Sequence, residues 1–336
     1  MMIRTTAVCL ALAAGALFSA QAAAYSGLVV FGDSLSDTGN NAALGLFDPN
    51  QVVTGNSYVP SNTYGPAGTY SNGPVWASYF AAAIGVPLAP SFAGGSNFAA
   101  GGATTGTNGS VVLPSPPFPA NSFYPFSLRT QTNLYLAATG GVASPDALYV
   151  VAGGGNNVRA ALGQVFGGAD LFAVAGATAN NFVNDVGYIV DSLQAAGAKN
   201  IVVWNTPNVG LAPATIAGGP QAVAAGSLIA GVMNGALGAR LAGEAGVATF
   251  DLFSFGSQVT ANPAAFGFTN VLDACGAVAG ANCNQYLYWD GIHPTSAAHA
   301  LISNGMLQVV AVPEPGSVLM MAAGLAGLLL VRRRRA

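Results

Sequence analysis

Charged side chains are scarce in this chain of 336 residues. Asp, Glu, Lys and Arg make up 6% of it, against roughly 25% in ordinary soluble domains. Five of the nine basic residues lie near the two ends, so removal of both ends would leave four basic residues against eleven or twelve acidic ones. Such an acidic body argues against nucleic acid or anionic lipid headgroups as partners held by charge. With 52% hydrophobic residues and no internal repeat, the chain suits one large domain.

Histidine and cysteine are also rare, which limits the chemistry available. The histidines are His293 and His299, and the cysteines are Cys9, Cys275 and Cys283. Clustered Cys/His ligands and glycine-rich phosphate loops are absent from the sequence, so we predict neither a metal site nor a cofactor. The Gly-x-Ser-x-Gly elbow of one large class of lipases is absent as well.

The first 24 residues have the pattern of a secretory signal peptide. Arg4 precedes the apolar run 7–18, and Ala20-Gln21-Ala22 lies in the small-residue stretch that follows. The alternative is a hydrophobic N-terminal helix, but the apolar run is too short to span a bilayer. The sequence therefore predicts export and cleavage by a signal peptidase.

The segment 312–336 has three parts: Pro313-Glu314-Pro315, the apolar run 317–331 and four arginines. A helix over that run would reach about 22 Å against a hydrocarbon core of about 30 Å, so we expect a transient anchor with the arginines in the cytoplasm. The arrangement resembles the PEP-CTERM sorting signal of Gram-negative bacteria. That resemblance implies processing by an exosortase-type protease, transient anchoring in the inner membrane, and delivery to the cell envelope or outside. A plain C-terminal anchor is the alternative.

The two cysteines outside the signal segment, Cys275 and Cys283, would enter an oxidising compartment on export, which predicts a disulfide between them. Closing so short a loop would stabilise the fold by roughly 2 to 3 kcal/mol. It would also fix the segment just before Asp290. We interpret the pair as a structural crosslink rather than a redox site.

Between residues 25 and 311, short β-branched runs alternate with Ala-rich stretches. The predicted strands are 28–31, 148–151, 201–204 and 247–252, and the predicted helices are 75–83, 181–196, 221–245 and 296–310. Nearly continuous apolar strands are typical of a parallel sheet buried on both faces. The pattern predicts one α/β domain, a three-layer doubly wound parallel sheet, with ligands beyond the carboxyl ends of the strands.

Two stretches, 47–70 and 104–126, are predicted to be long surface loops. Their aromatic side chains either pack on the body or line a substrate cleft; they include Tyr58, Tyr64, Phe118, Phe123 and Tyr124.

The first predicted strand runs directly into Gly32-Asp33-Ser34-Leu35, which places Ser34 in a tight turn. A serine that attacks an ester carbonyl needs a base and also donors that hold the oxyanion. His293 is the candidate base, and Asp290, three residues earlier, is the candidate orienting group. His299 falls inside the last predicted helix and is interpreted as structural. Each motif alone is an ordinary turn or helix entry, but together they predict a serine esterase.

In their order and placement these motifs resemble the GDSL/SGNH hydrolases, which have a flavodoxin-like fold. The resemblance continues in 72–80, 96–104 and 204–210. It implies hydrolysis of a carboxylic ester, such as a lipid, an aryl ester or an acetylated sugar, through an acyl-serine and without a cofactor.

The same resemblance implies three oxyanion donors: the N–H of Ser34, a glycine N–H and an asparagine side chain. The matching glycine is Gly102, with Gly101 as the alternative register, and the matching asparagine is Asn156. Asn157 stands where the family usually has Asp, which we expect to alter the support of the loop rather than the donor.

The natural substrate stays open. The sorting signal alone suggests deacetylation of an extracellular polysaccharide. The rival hypotheses are a non-catalytic matrix or adhesion protein on the same fold and an acyltransferase that uses the same triad.

Overall fold

The structure is a computed structural model that describes residues 25–310 apart from 66, 116 and 117. The predicted signal peptide and the sorting segment 312–336 lie outside these residues. The strands are β1 (Leu28–Gly32), β2 (Phe47–Asp48), β3 (Thr63–Tyr64), β4 (Val111–Val112), β5 (Phe123–Tyr124), β6 (Leu148–Ala152), β7 (Asn200–Trp204), β8 (Val247–Phe250), β9 (Asn270–Ala274) and β10 (Tyr286–Tyr288). The α-helices are α1 (Asn40–Ala43), α2 (Trp76–Ile84), α3 (Leu128–Ala138), α4 (Gly155–Phe166), α5 (Leu171–Ala195), α6 (Pro213–Ala217), α7 (Pro220–Leu241), α8 (Leu252–Ala261) and α9 (Ser296–Val310).

A parallel sheet in the order β1-β6-β7-β8 forms the centre of the domain. Every residue of β1 and β6 is buried, which explains why their sequences are apolar without alternation. The free edge of β1 is covered by residues 96–100, which follow it in parallel. In that pairing the N–H of Val30 donates to Ser96 O, and the N–H of Phe98 donates to Val30 O. The predicted α/β parallel sheet is therefore confirmed.

Helices cover both faces of this sheet. On one face, Phe31 and Val151 pack in a core with residues of α3, α4, α5 and α7. On the other face, Val30 and Val150 pack with Trp76 of α2 and Met306 of α9. These contacts produce the predicted three layers.

The element ends differ from the prediction where a polar side chain caps a helix. Helix α5 begins at Leu171 rather than 181, because Asp170 accepts the N–H of Ala173. The last central strand ends at Phe250 rather than 252, because Asp251 accepts the N–H of Ser254 and starts α8. The sequence prediction also missed α1, α3, α4, α6 and α8, and α7 ends at Leu241 rather than 245. The two predicted loops carry the short pairs β2/β3 and β4/β5.

His299 lies in α9, as predicted, and is fully buried. Neither of its ring nitrogens has a hydrogen-bond partner within the described part of the chain. Burial, and then repulsion from His293, lowers the pKa of His299 to about 3. The folded protein therefore holds this imidazole neutral.

We expect His299→Leu to be at least as stable as the wild type near pH 7.5, because it removes a buried polar ring without a partner. As the pH falls below the ordinary histidine pKa of about 6.5, His299 binds a proton in the unfolded wild type but stays neutral in the folded protein. The advantage of the variant should then grow by up to about 1.4 kcal/mol per pH unit. Urea unfolding at several pH values measures both free energies, and an advantage that does not change with pH would contradict this account.

Candidate active site

Ser34 sits in a turn at the carboxyl end of β1. The turn is fixed from both sides: the N–H of Gly32 donates to Gln131 Oε1 at 2.9 Å, and the N–H of Leu35 donates to Asp33 Oδ1 at 3.0 Å. Ser34 is 8% exposed. Within the described residues its own N–H has no acceptor, which leaves that donor available at the strand end.

The structure brings Ser34, His293 and Asp290 into one hydrogen-bonded chain, although Ser34 and His293 are 259 residues apart. The distance from Ser34 Oγ to His293 Nε2 is 2.8 Å, and the distance from His293 Nδ1 to Asp290 Oδ2 is also 2.8 Å. Asp290 is fully buried and His293 is 3% exposed. In the neutral tautomer that fits these contacts, Nδ1–H donates to the carboxylate and Nε2 accepts from the serine. This is the geometry that a general base and its nucleophile need.

The carboxylate of Asp290 has further donors. Its Oδ1 accepts the backbone N–H groups of Ile292 at 2.9 Å and His293 at 2.8 Å. Its Oδ2 accepts the hydroxyl of Tyr64 at 2.9 Å. Burial, followed by the charge of Asp290, raises the pKa of Tyr64, so the hydroxyl keeps its proton and donates it.

The predicted oxyanion donors border the cleft beside Ser34. The N–H of Gly101 already donates to Asp37 Oδ2 at 3.1 Å and Asn41 Oδ1 at 3.0 Å. The N–H of Gly102 has no acceptor within the described part of the chain, and its φ of 86° suits a glycine. These contacts favour Gly102 over Gly101 as the donor.

The side chain of Asn156 is held at both ends. Its Nδ2 donates to Ala103 O at 2.9 Å, and its Oδ1 accepts from Arg159 Nη1 at 3.1 Å. One N–H of the amide therefore remains for a ligand, and Asn156 lines the same cleft as Ser34.

Asn157 contacts Thr105, which lies three residues after Gly102 in the same loop. Its Oδ1 accepts the N–H of Thr105 at 3.2 Å, and its Nδ2 donates to Thr105 Oγ1 at 2.9 Å. The Thr105 hydroxyl is then free to donate to Asp185 Oδ2 at 2.9 Å. An aspartate at 157 would compete with Asp185 for that one hydroxyl proton. The amide thus fits its partner here better than a carboxylate would.

The predicted disulfide between Cys275 and Cys283 is present, with the two Cα atoms 5.6 Å apart. Next to it, the N–H of Gly276 donates to Trp289 O at 2.9 Å. The crosslinked loop is thereby joined to the residue before Asp290.

Two hollows meet at the serine. The first, of about 960 Å³ including space open to solvent, is lined mainly by apolar side chains of 252–259, 287–292 and 298–302. The second, of about 900 Å³, has more polar walls that include Asn41, Asn62 and Tyr70. Tyr70 also packs against the ring of His293, with 5.2 Å between the ring centroids. One hollow can thus take an apolar group and the other a polar group of the same substrate.

Sequence reasoning named the residues of the hydrogen-bonded chain but missed the contact of Tyr64 with Asp290. From the sequence, Tyr64 is one of several aromatic residues in a predicted loop. Burial alone does not single it out, because Tyr64 is 4% exposed and Tyr124 of the other loop is 0% exposed. The contact with Asp290 spans 226 residues and has no local signal in the sequence.

Comparison with known proteins gives two family matches. The model of the GDSL-like lipase/acylhydrolase family matches residues 28–306, and the PEP-CTERM protein-sorting motif matches residues 311–335. The esterase EstA of Pseudomonas aeruginosa is 29% identical over 86% of this chain and 47% of its own length. An uncharacterised protein of Pseudomonas putida is 30% identical over 93% of this chain and 53% of its own length. The chain spans about half the length of these curated relatives.

A solved structure, that of a carbohydrate acetylesterase from Sinorhizobium meliloti, aligns with a TM-score of 0.42 and 15% identity, covering 85% of this chain and 98% of the other. A likeness this distant says nothing about the substrate of the present chain.

We expect Tyr64→Phe to lower kcat for ester hydrolysis about tenfold, because a hydrogen bond to a charged group contributes roughly 1.5 to 3 kcal/mol. KM should change little, because Tyr64 does not line either hollow of the described structure. Tyr149→Phe is the matched control: it removes a buried hydroxyl that donates to Ser144 O. The control should lose some stability and keep its kcat. Equal losses of kcat in both variants would contradict a specific role for Tyr64.

Proposed function

Because the chain belongs to the GDSL-like lipase/acylhydrolase family, a family of ester hydrolases, we propose that it hydrolyses carboxylic esters through an acyl-enzyme on Ser34. The observation that supports this most directly is the hydrogen-bonded chain from Ser34 through His293 to Asp290, with 2.8 Å at each step. All three members are buried, so bulk water does not compete for these contacts.

In the proposed mechanism, Ser34 Oγ attacks the ester carbonyl while His293 Nε2 takes the hydroxyl proton. The oxyanion is held by the N–H groups of Ser34 and Gly102 and by the amide of Asn156. The alcohol leaves with the proton returned by His293. Water then attacks the acyl-serine by the same route and releases the carboxylic acid. Asp290 orients the imidazole throughout.

The PEP-CTERM motif indicates export to the cell envelope or beyond in a Gram-negative bacterium. The finer steps are part of the proposal. A signal peptidase would remove 1–24, the run 317–331 would anchor the chain transiently in the inner membrane, and an exosortase-type protease would act near Pro313. The hydrolase domain would then comprise residues 25–311.

The direct test is hydrolysis of a short-chain aryl ester by the wild type, Ser34→Ala and His293→Ala. We expect each variant to lose about a thousandfold or more in kcat, because members of a triad act as a unit. His299→Leu is the matched control and should keep its activity, because His299 lies outside the hydrogen-bonded chain. A folded but inactive wild type would contradict the proposal and favour a non-catalytic matrix protein. Acyl transfer would be recognised by an acylated product when an alcohol acceptor is added.

Two substrate classes follow from different observations. Deacetylation of an extracellular polysaccharide rests on the sorting signal alone. Release of acetate from purified matrix would support it, and turnover restricted to long-chain esters would contradict it. Longer acyl chains are favoured by the apolar hollow beside Ser34, which includes Leu252, Phe255 and Phe268 and exceeds what an acetyl group fills.

Gly256 gives a way to test the apolar hollow, because it lines that hollow and a Cβ there would meet open space. We expect Gly256→Phe to lower kcat/KM for an octanoyl ester about tenfold or more, because the phenyl ring excludes methylene groups of the acyl chain from the hollow. The value of kcat/KM for the acetyl ester should change about twofold or less, because an acetyl group has no such methylenes. Gly163→Phe, on the exposed surface of α4 and also facing open space, is the matched control. Equal effects of Gly256→Phe on both esters would contradict acyl binding there.

A further inference from the structure

The cleft contains a cation that has no carboxylate partner. Of the basic side chains between residues 25 and 310, Arg129 pairs with Asp185, and Arg240 pairs with two carboxylates. Lys199 immediately precedes β7, at the amino end of that strand and away from Ser34. Arg159 remains, and within the described structure no carboxylate lies within salt-bridge distance of it.

Arg159 stands where the two hollows meet. Both hollows are lined by Arg159 together with Ser34, Asn156, Ile292 and His293. Among the described residues, the side chain of Arg159 has one hydrogen bond, from Nη1 to Asn156 Oδ1 at 3.1 Å. A guanidinium has five N–H donors in a planar fork, so four remain for a ligand. That fork matches the two oxygens of a carboxylate or a phosphate.

The surroundings of Arg159 strengthen the attraction between its positive charge and an anion. By area the side chain is exposed, yet the walls of the cleft remove part of its hydration, which lowers its pKa. Asp290 and Asp33 act in the opposite direction and raise that pKa, and an arginine stays protonated in either case. A charge in a concave, partly dehydrated site attracts a counter-charge more strongly than one on an open surface.

We propose that Arg159 binds a carboxylate or phosphate that the substrate carries close to the scissile ester bond, so that the preferred substrates are anionic esters. The inference rests on the ester hydrolysis proposed above and narrows its substrate class. The anionic group must lie within a few bonds of the ester, because Arg159 contacts the same Asn156 that we propose as an oxyanion donor. Such a substrate is compatible with the acidic body of the protein, because one local contact with Arg159 binds it and no extended basic surface is needed.

The rival explanation is that Arg159 acts only on the protein, by holding Asn156 or by balancing the charges of Asp33 and Asp290. Such a role would affect every ester alike, because all esters share one oxyanion site. The comparison must therefore be between a charged and a neutral ester that are cleaved at the same bond.

Three acetyl esters make that comparison: 4-acetoxybenzoate, 4-acetoxyphenyl phosphate and the neutral methyl 4-acetoxybenzoate. We expect the wild type to prefer at least one anionic ester. In Arg159→Gln the ratio of kcat/KM for that ester to kcat/KM for the neutral ester should fall about tenfold or more, as for other hydrogen bonds to charged groups. Arg159→Lys should restore part of the ratio. Added salt should lower the ratio in the wild type and, to a smaller extent, in Arg159→Lys, but not in Arg159→Gln. The anionic ester whose ratio falls in Arg159→Gln shows whether the enzyme recognises a carboxylate or a phosphate.

The outcomes separate this inference from the proposed function. If the neutral ester is hydrolysed and the ratios are the same in all variants, the inference is wrong and the ester hydrolase stands. If Arg159→Gln lowers kcat/KM equally for all three esters, Arg159 only positions Asn156, and the inference is again wrong. If nothing is hydrolysed, binding of 4-hydroxybenzoate and of phenyl phosphate to the protein with and without Arg159→Gln still decides the matter. If the wild type and Arg159→Gln bind each probe with equal affinity, the inference is overturned.

Discussion

The hydrogen bond between His293 Nδ1 and Asp290 Oδ2 is the contact on which the rest of the site depends. The carboxylate of Asp290 is fully buried. Burying a carboxylate costs free energy unless its oxygens accept hydrogen bonds from nearby donors. The surrounding structure supplies them: two backbone N–H groups from the following turn and the hydroxyl of Tyr64. The disulfide loop holds the chain one residue earlier, through Trp289. These contacts hold the imidazole in the orientation that directs Nε2 at Ser34.

The scarcity of charge gives each charge near the cleft more weight. Few surface ions compete with or screen those of the cleft, and three of the four basic side chains in the described residues lie elsewhere. One hollow beside the serine is apolar and the other more polar, so the two sides of an ester would meet different surroundings. The different walls of the two hollows are one reason to propose an amphipathic substrate with its ester bond at the junction.

The buried strands and the three residues of the hydrogen-bonded chain could be predicted from short stretches of the sequence. The buried strands were predicted because their apolar runs are continuous, and Ser34, His293 and Asp290 were singled out because each lies in a short motif. Tyr64 was not, because its contact with Asp290 spans 226 residues and leaves no periodic signal. Asn157 was named from the sequence, but its partners were not, because its fit depends on Thr105 and Asp185 from two other segments. The helix ends were misplaced where a single capping side chain, such as Asp170, outweighs an Ala- and Gly-rich pattern that continues on both sides.

The central claim is that Ser34 is a nucleophile because His293 takes its proton. Covalent labelling with a fluorophosphonate tests it without any assumption about the natural substrate. Intact mass and peptide mapping should show one adduct, on Ser34, that forms rapidly in the wild type and at least about a hundredfold more slowly in His293→Ala, as expected for loss of the general base. An adduct on another serine, or labelling of Ser34 at the same rate without His293, would contradict the account.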